Sequence, residues 1–452
     1  MRLACFFATV QSGAQSSQLC CSIAYLGAIA DHFKDDPARK NLCSRAASLI
    51  SGFAEIGQQV SNGTLEPELN GRGPAKLCSN GYKFLFHSAR VPGESKDAVN
   101  CYNPAMYNGE IFVSRKNQFF SLNITGLNTN EIEAELLKIV AMAGENAASN
   151  VGALTAASRD LWYSSRAKLL ADNTSAASLE KVERAMFGVC LDDISPITPT
   201  DVGRNALNGK CNRFFDKTLQ LVVFENGKAV FLGEHAKSDG SPTARLCNDV
   251  LTKIATGALD YSAPVVAGTK ATNAVSALPV SATSVAPEIA AAEAYIEEEW
   301  AAHNWRAVRF TGYGNTAMKG FGMSPDAYTQ MAMQLAYYRL NGEPCGTYLL
   351  RTKYMAQMRV CHRRMYIYIY TLRSRYESIM TRGFLHGRTE VGRSTSIDAL
   401  KFSQAMDDPT VSDAAKVELL QTATNAHSAY LAKAAKAQGV DRVLLGWKQM
   451  LT

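Results

Sequence analysis

The sequence predicts a protein of two or three domains that mixes helices and strands, and three observations carry that expectation. At ~100–200 residues per domain, 452 residues are too many for one module. Hydrophobic residues at 47% and charged residues at 19% allow a sizeable core and exclude wholesale disorder. The first half alternates hairpin-like runs with amphipathic helix patterns, and a stretch rich in Ala, Val, Ser, Thr and Pro follows at 262–287. The expected organisation is an atypical segment at 1–30, a first domain at 31–261, a linker at 262–287 and a second domain at 288–452.

Residues 1–30 are apolar and cysteine-rich without a clean period, and MRLACFFATV resembles a short signal peptide only faintly. A polar loop from Asp31 leads into a helix whose face is Leu49, Ile50 and Phe53. GYKFLFHSARVPG reads as a strand ending at Pro92-Gly93, and GEIFVSR and QFFSLNI read as a hairpin around Lys116-Asn117. Residues 129–145 form a helix with Ile132, Leu136, Ile139 and Val140 as its stripe and Asn130 as its N-cap. Two helices are expected at Ser158–Leu170 and Ser178–Phe187. A second hairpin then runs through Thr218–Phe224, the Glu225-Asn226-Gly227 turn and Ala229–Leu232. Beyond the linker, Glu288–His303 is an acidic helix. Ser324-Pro325-Asp326 opens a helix through to Gly342 that is apolar nearly all round and so expected to be buried. A last helix starts near Ser412, carries Val417, Leu420, Thr424, His427 and Leu431 on one face, and stops at Gly439.

The net charge of +6 is local. Residues 349–375 hold Arg351, Lys353, Arg359, Arg363, Arg364, Arg373 and Arg375 and no acid; without those seven, the 47 Lys and Arg nearly balance the 41 Asp and Glu. A polyanion partner would therefore have to be held by that one stretch. No run approaches the ~18 uncharged apolar residues of a membrane-spanning helix. The 11 cysteines contain no CxxC and read as reduced thiols. No HExxH or paired Cys/His spacing points to a metal, and no GxGxxG, GxxxxGK[ST] or GxSxG is present.

Of the seven histidines, His303, His362 and His427 have ordinary homes: a helix end, the basic stretch and a helix stripe. His235 differs, because it directly follows a hairpin strand, where a base is rigidly presented. Asp239, four residues on, could hold one ring nitrogen and fix the tautomer. On spacing alone, such a pair is more often solvated surface than a catalytic dyad.

Six stretches in order resemble the choline/carnitine acyltransferase family: SRDLWYSSRAKLL (158–170), NGKCNRFFDKTLQLVVFENG (208–227), GEHAKSDGSPTAR (233–245), SPDAYTQMAMQLAYYRLNG (324–342), YESIMTRGFLHGRTEVGRS (376–394) and GVDRVLLGWKQ (439–449). The resemblance implies an α/β fold of two similar domains, each a mixed sheet flanked by helices, of the chloramphenicol-acetyltransferase type, with a tunnel between them. It implies reversible transfer of an acyl group, acetyl for choice, between coenzyme A and carnitine, with no permanently bound cofactor. His235 matches the family's general base and Asp239 its partner. Lys319 and Asp326 match contacts to coenzyme A, and Asn315 stands where the family has a second lysine. Tyr376, Thr389 and Arg442 match the group that receives the carnitine carboxylate, which favours carnitine over choline as acceptor. The implied partners are acyl-CoA and carnitine, with a monomeric protein, no nucleic acid and at most a peripheral membrane contact. The implied compartments are mitochondrion and peroxisome.

Three departures from the family pattern stand out. Residues 349–375 separate Gly346-Thr347-Tyr348 from Tyr376-Glu377-Ser378 and read either as translated intron or as a basic surface loop. The family's oxyanion-stabilising hydroxyl and later strands would fall beyond Thr452, so the second domain is expected to be incomplete and the chain inactive or poorly folded as written. The family's N-terminal segment ahead of Asp31 has no counterpart here. A non-catalytic CoA-binding fragment is the alternative reading.

Overall fold

The computed structural model describes residues 24–25, 38–71, 73–208, 212–302, 306–307, 310–344 and 376–451. His32, His303, His362, the basic stretch 349–375 and all of 1–30 except Ala24 and Tyr25 lie outside them. The chain divides into two compact units, Met1–Glu66 with Ser79–Ala307 and Pro67–Cys78 with Val308–Thr452.

The first unit runs β1 (Ala24–Tyr25), α1 (Leu42–Ser61), β2 (Ser88–Val91), β3 (Ala98–Cys101), α2 (Pro104–Tyr107), β4 (Glu110–Arg115), β5 (Gln118–Asn123), α3 (Thr129–Ala143), α4 (Arg159–Leu170), α5 (Asn173–Arg184), β6 (Gly188–Asp192), α6 (Pro199–Leu207), β7 (Leu219–Phe224), β8 (Ala229–Glu234), α7 (Gly240–Ala255), β9 (Val275–Leu278) and α8 (Ala286–Ala302). Seven strands form one sheet in the order β1-β8-β7-β6-β4-β5-β9. β6 lies parallel to both β4 and β7, and the other pairs are antiparallel, so the sheet is mixed.

Both faces of this sheet are covered. Side chains alternate across a strand, so Ile111 and Val113 of β4 join α1, α3 and α7 in one core, while Phe112 joins α4, α5 and α8 in another. The hairpin expected at Lys116-Asn117 forms with Arg115 opposite Gln118. Its two turn residues have φ of 50° and 62°, the left-handed pair that matches strand twist. Leu49, Ile50 and Phe53 of α1 are fully buried, as the periodicity required.

Several expectations are corrected. Helix α3 is capped by Asn128 rather than Asn130, because Asn128 and Glu131 exchange hydrogen bonds in a capping box. Residues 262–287 are no simple linker: Val275–Leu278 pairs with β5 as an edge strand, and the compact units part near residue 307 instead. Small and β-branched residues there satisfy an edge as readily as a loop. Helices α6 and α7, strand β6 and the helices at Ile397–Met406 and Asp441–Leu451 have no counterpart among the expected elements; β6 is five residues buried on both faces and shows no alternation.

In the second unit, Ser324 caps α10 (Pro325–Asn341), which follows the short α9 (Asn315–Gly320). Then come β10 (Tyr376–Met380), β11 (Thr389–Arg393), α11 (Ile397–Met406), α12 (Asp413–Ala434) and α13 (Asp441–Leu451). Strands β10 and β11 pair antiparallel, and Met331, Ala399, Phe402 and Ala423 make the core of α10, α11 and α12. Helix α10 buries one face (Ala327, Gln330, Met331, Gln334, Tyr337) and leaves Leu340 exposed, so it is not buried all round. Helix α12 ends at Ala434, before Gly439. It starts at Ser412 as expected, with Ser412 as its N-cap, but Val417 is exposed.

Candidate active site

His235 is the first residue past β8, whose six residues are all buried. The chain is pinned there by Glu234, whose Oε2 accepts the Ala236 N–H at 2.9 Å. Glu234 Oε1 meets Arg90 Nη1 at 3.4 Å. Arg90 Nε donates to Asp97 Oδ2 at 2.6 Å, and Arg159 Nε reaches the same oxygen at 2.8 Å. Arg159 then grips Asp216 with two parallel bonds of 2.7 and 3.0 Å, and Trp162 Nε1 adds a third at 2.7 Å. Two guanidinium groups thus face three carboxyls away from water. Burial pushes the Glu234 carboxyl up to about 7, against the pull of Arg90.

The imidazole itself is held by the turn that follows. His235 Nδ1 lies 2.8 Å from the Ser238 carbonyl oxygen and 3.6 Å from Asp239 Oδ1. A carbonyl only accepts, so Nδ1 carries the hydrogen and the lone pair of the neutral ring sits on Nε2. Asp239 Oδ1, at 3.6 Å, lies beyond hydrogen-bond range of Nδ1. Asp239 is also the N-cap residue of α7, and Thr243 Oγ1 donates to its carbonyl at 3.3 Å. The expected His235/Asp239 pair is therefore brought together, with the Ser238 carbonyl as the direct partner. No side-chain pattern could announce a main-chain acceptor.

In the second unit, Arg442 at the start of α13 donates from Nη2 to Thr389 Oγ1 at 2.8 Å and from Nε to Thr389 O at 3.0 Å. Thr389 opens β11, opposite Met380. Tyr376 opens β10 opposite Arg393, at the other end of the hairpin, about 13 Å along the strand at ~3.3 Å per residue. The structure thus joins Thr389 to Arg442, and it defines Tyr376 only by its backbone register. Asn315 and Lys319 lie exposed on α9.

Asp326, in the first turn of α10, has a neighbour that its sequence position does not reveal. His427 Nε2 of α12 lies 3.7 Å from Asp326 Oδ2 and 3.3 Å from Glu377 Oε2 of β10. Gln330 Nε2 also donates to Glu377 Oε2, at 3.3 Å. Burial pulls the His427 pKa down, but the Asp326 and Glu377 carboxylates overcome it and push it up to about 9. These three offer ligand atoms all within 4.8 Å of one another, the set among the described residues that could hold a metal ion. Two open hollows, of about 370 Å³ beside Asn173, Lys181 and Leu278 and about 640 Å³ beside Arg39, Glu133 and Tyr261, include none of these side chains.

The chain belongs to the choline/carnitine O-acyltransferase family, whose sequence model matches residues 13–349 and 355–452. It is similar to the mitochondrial carnitine O-acetyltransferase of Saccharomyces cerevisiae, 31% identical over 421 residues, with 90% of this chain and 58% of that protein covered. The carnitine O-acetyltransferase of Mus musculus is 32% identical over 432 residues, covering 89% of this chain and 62% of that one. The choline O-acetyltransferase of Danio rerio is 28% identical over 447 residues, covering 93% and 64%. The chain spans about three-fifths of the length of these curated relatives. No described helix is long and apolar enough to cross a membrane.

Proposed function

We propose that this chain carries the general base of a carnitine O-acetyltransferase. His235 Nε2 takes the proton from the carnitine hydroxyl as that oxygen attacks the thioester carbon of acetyl-CoA, and returns it to the CoA sulfur as the C–S bond breaks, so that CoA leaves as the thiol. In the reverse direction the same nitrogen deprotonates the CoA thiol. The observation that carries this reading is the bond from Nδ1–H to the Ser238 carbonyl, which leaves Nε2 as the basic nitrogen. A positioned base contributes typically ~10²–10⁴ in rate, and holding two substrates against it supplies up to about 7–11 kcal/mol of the barrier. No covalent enzyme intermediate is needed.

Carnitine is favoured over choline because Arg442 and Thr389 form a cationic, hydroxyl-bearing pair suited to a carboxylate, which choline lacks. Lys319 supplies a cation for a CoA phosphate, and coenzyme A enters as substrate, with no resident cofactor. A mitochondrial compartment is read from the name of the yeast relative, with the peroxisome as the further family location. Thiol release from acetyl-CoA, measured with carnitine and with choline on the purified chain, tests the proposal. Whatever turnover with carnitine the chain shows should drop at least ~10²-fold in His235→Ala. Tight acetyl-CoA binding without turnover would favour a CoA-binding fragment, and turnover unchanged in His235→Ala would remove His235 from the mechanism.

A further inference from the structure

His427 is unused by that chemistry, yet it is the best-buried ionisable group of its neighbourhood. Its side chain is 2% exposed, whereas Asp326 is 50% and Glu377 24% exposed. The ring therefore stands behind two carboxylates that face solvent, and it ties together α12, the first turn of α10 and β10. Nε2 lies 3.3 Å from a Glu377 oxygen and 3.7 Å from an Asp326 oxygen, close enough for ion pairing with both although it makes no aligned hydrogen bond to either. Two carboxylates with oxygens within 4.8 Å would repel each other, and an imidazolium placed against both removes that cost. Gln330 fixes Glu377 from the side.

Carboxylates so held have one recognition property: they accept. Acyl-CoA offers matching donors in its adenine amine, its pantetheine amides and its hydroxyls. Its phosphates are anions that two bare carboxylates would repel. We propose that His427 is a positioning residue for acyl-CoA: a buried imidazolium that keeps Asp326 and Glu377 oriented as acceptors for CoA donors while cancelling part of their charge. This rests on the reading of Asp326 as a CoA contact.

The charged groups facing the ring are Asp326 from α10 and Glu377 from β10. On the neighbouring turn of α12 and on β11 and α13, Tyr430, Arg393, Glu390 and Asp441 form a separate set, in which Arg393 holds Asp441 at 2.9 Å. The charge on His427 is full below the usual imidazole range and is lost as pH rises through about 9, so acetyl-CoA affinity should fall there.

The test is calorimetric titration of acetyl-CoA into the full chain and its His427→Gln, His427→Asn and Asp326→Asn variants, with thermal melts as the folding check. Both His427 variants should weaken binding by about tenfold, as for loss of a buried ion-pair partner, and flatten the fall in affinity around pH ~9. If Asp326→Asn binds as the unmutated chain does, or the unmutated chain does not bind, the parent reading fails and this one with it. If Asp326→Asn weakens binding while folded His427→Gln does not, the role of His427 alone is overturned. Zinc ions that raise the melting temperature of the unmutated chain, but not of His427→Gln, would make the cluster a metal site and also overturn it.

Discussion

Replacing Arg159 by methionine tests the buried charge network that reaches the His235 turn. The Arg159 side chain is 2% exposed and bonds both Asp97 and Asp216, the latter bidentately and itself 3% exposed. Methionine fills much of the volume, so the chief loss is electrostatic. Asp216 would keep the Trp162 Nε1 bond but lose its counter-charge, and Asp97 would keep Arg90. Removing one partner of a buried pair costs about 3–5 kcal/mol, a large share of a typical ~5–15 kcal/mol domain stability. Urea unfolding followed by circular dichroism measures it. Arg159→Met combined with Asp216→Leu removes both charges and should recover most of the loss, short of the ~1–3 kcal/mol for leaving the Trp162 N–H without an acceptor. A loss under ~1 kcal/mol in the single variant, the value of a solvated surface pair, would show that this network is not buried as described.

Two other perturbations probe the same unit. Because burial raises the Glu234 carboxyl to about 7 in the fold, the native state binds its proton more tightly than the unfolded chain does; stability from this group is full below ~4.5 and falls as pH rises towards 7. Glu234→Gln should flatten that slope in pH-dependent melts, and an unchanged slope would assign it to other groups. At Gly188 in β6, an added Cβ would sit 2.2 Å from Phe112 Cε1, inside a cluster of Phe112, Phe119 and Phe214 rings. Gly188→Ala should therefore cost about 1–3 kcal/mol by overpacking, read as a lower urea midpoint, and a neutral substitution would mean the ring shifts freely.

Elements whose signal is local were legible in the residues alone. The Lys116-Asn117 and Glu225-Asn226-Gly227 turns, the Ser324 cap and the α1 stripe each depend on neighbours within a few positions. That local order put His235 at the end of a strand with Asp239 close by. Strand β6 was not legible, because burial on both faces erases alternation, and the edge role of Val275–Leu278 was hidden by linker-like composition. Asn128 outcompeted Asn130 through a reciprocal bond with Glu131.

By itself, then, the sequence determined the family and the hairpin that ends at His235 with Asp239 close by. Tertiary structure alone decided which atom orients the base, since the Ser238 acceptor is a main-chain carbonyl and has no residue signature. It also decided that Arg90, Asp97, Arg159, Asp216 and Glu234 share one dry network and that His427 stands behind Asp326 and Glu377. These partners come from separate strands, helices and loops. The free energy of pairing them arises only when folding removes water from around charges that the chain order keeps far apart.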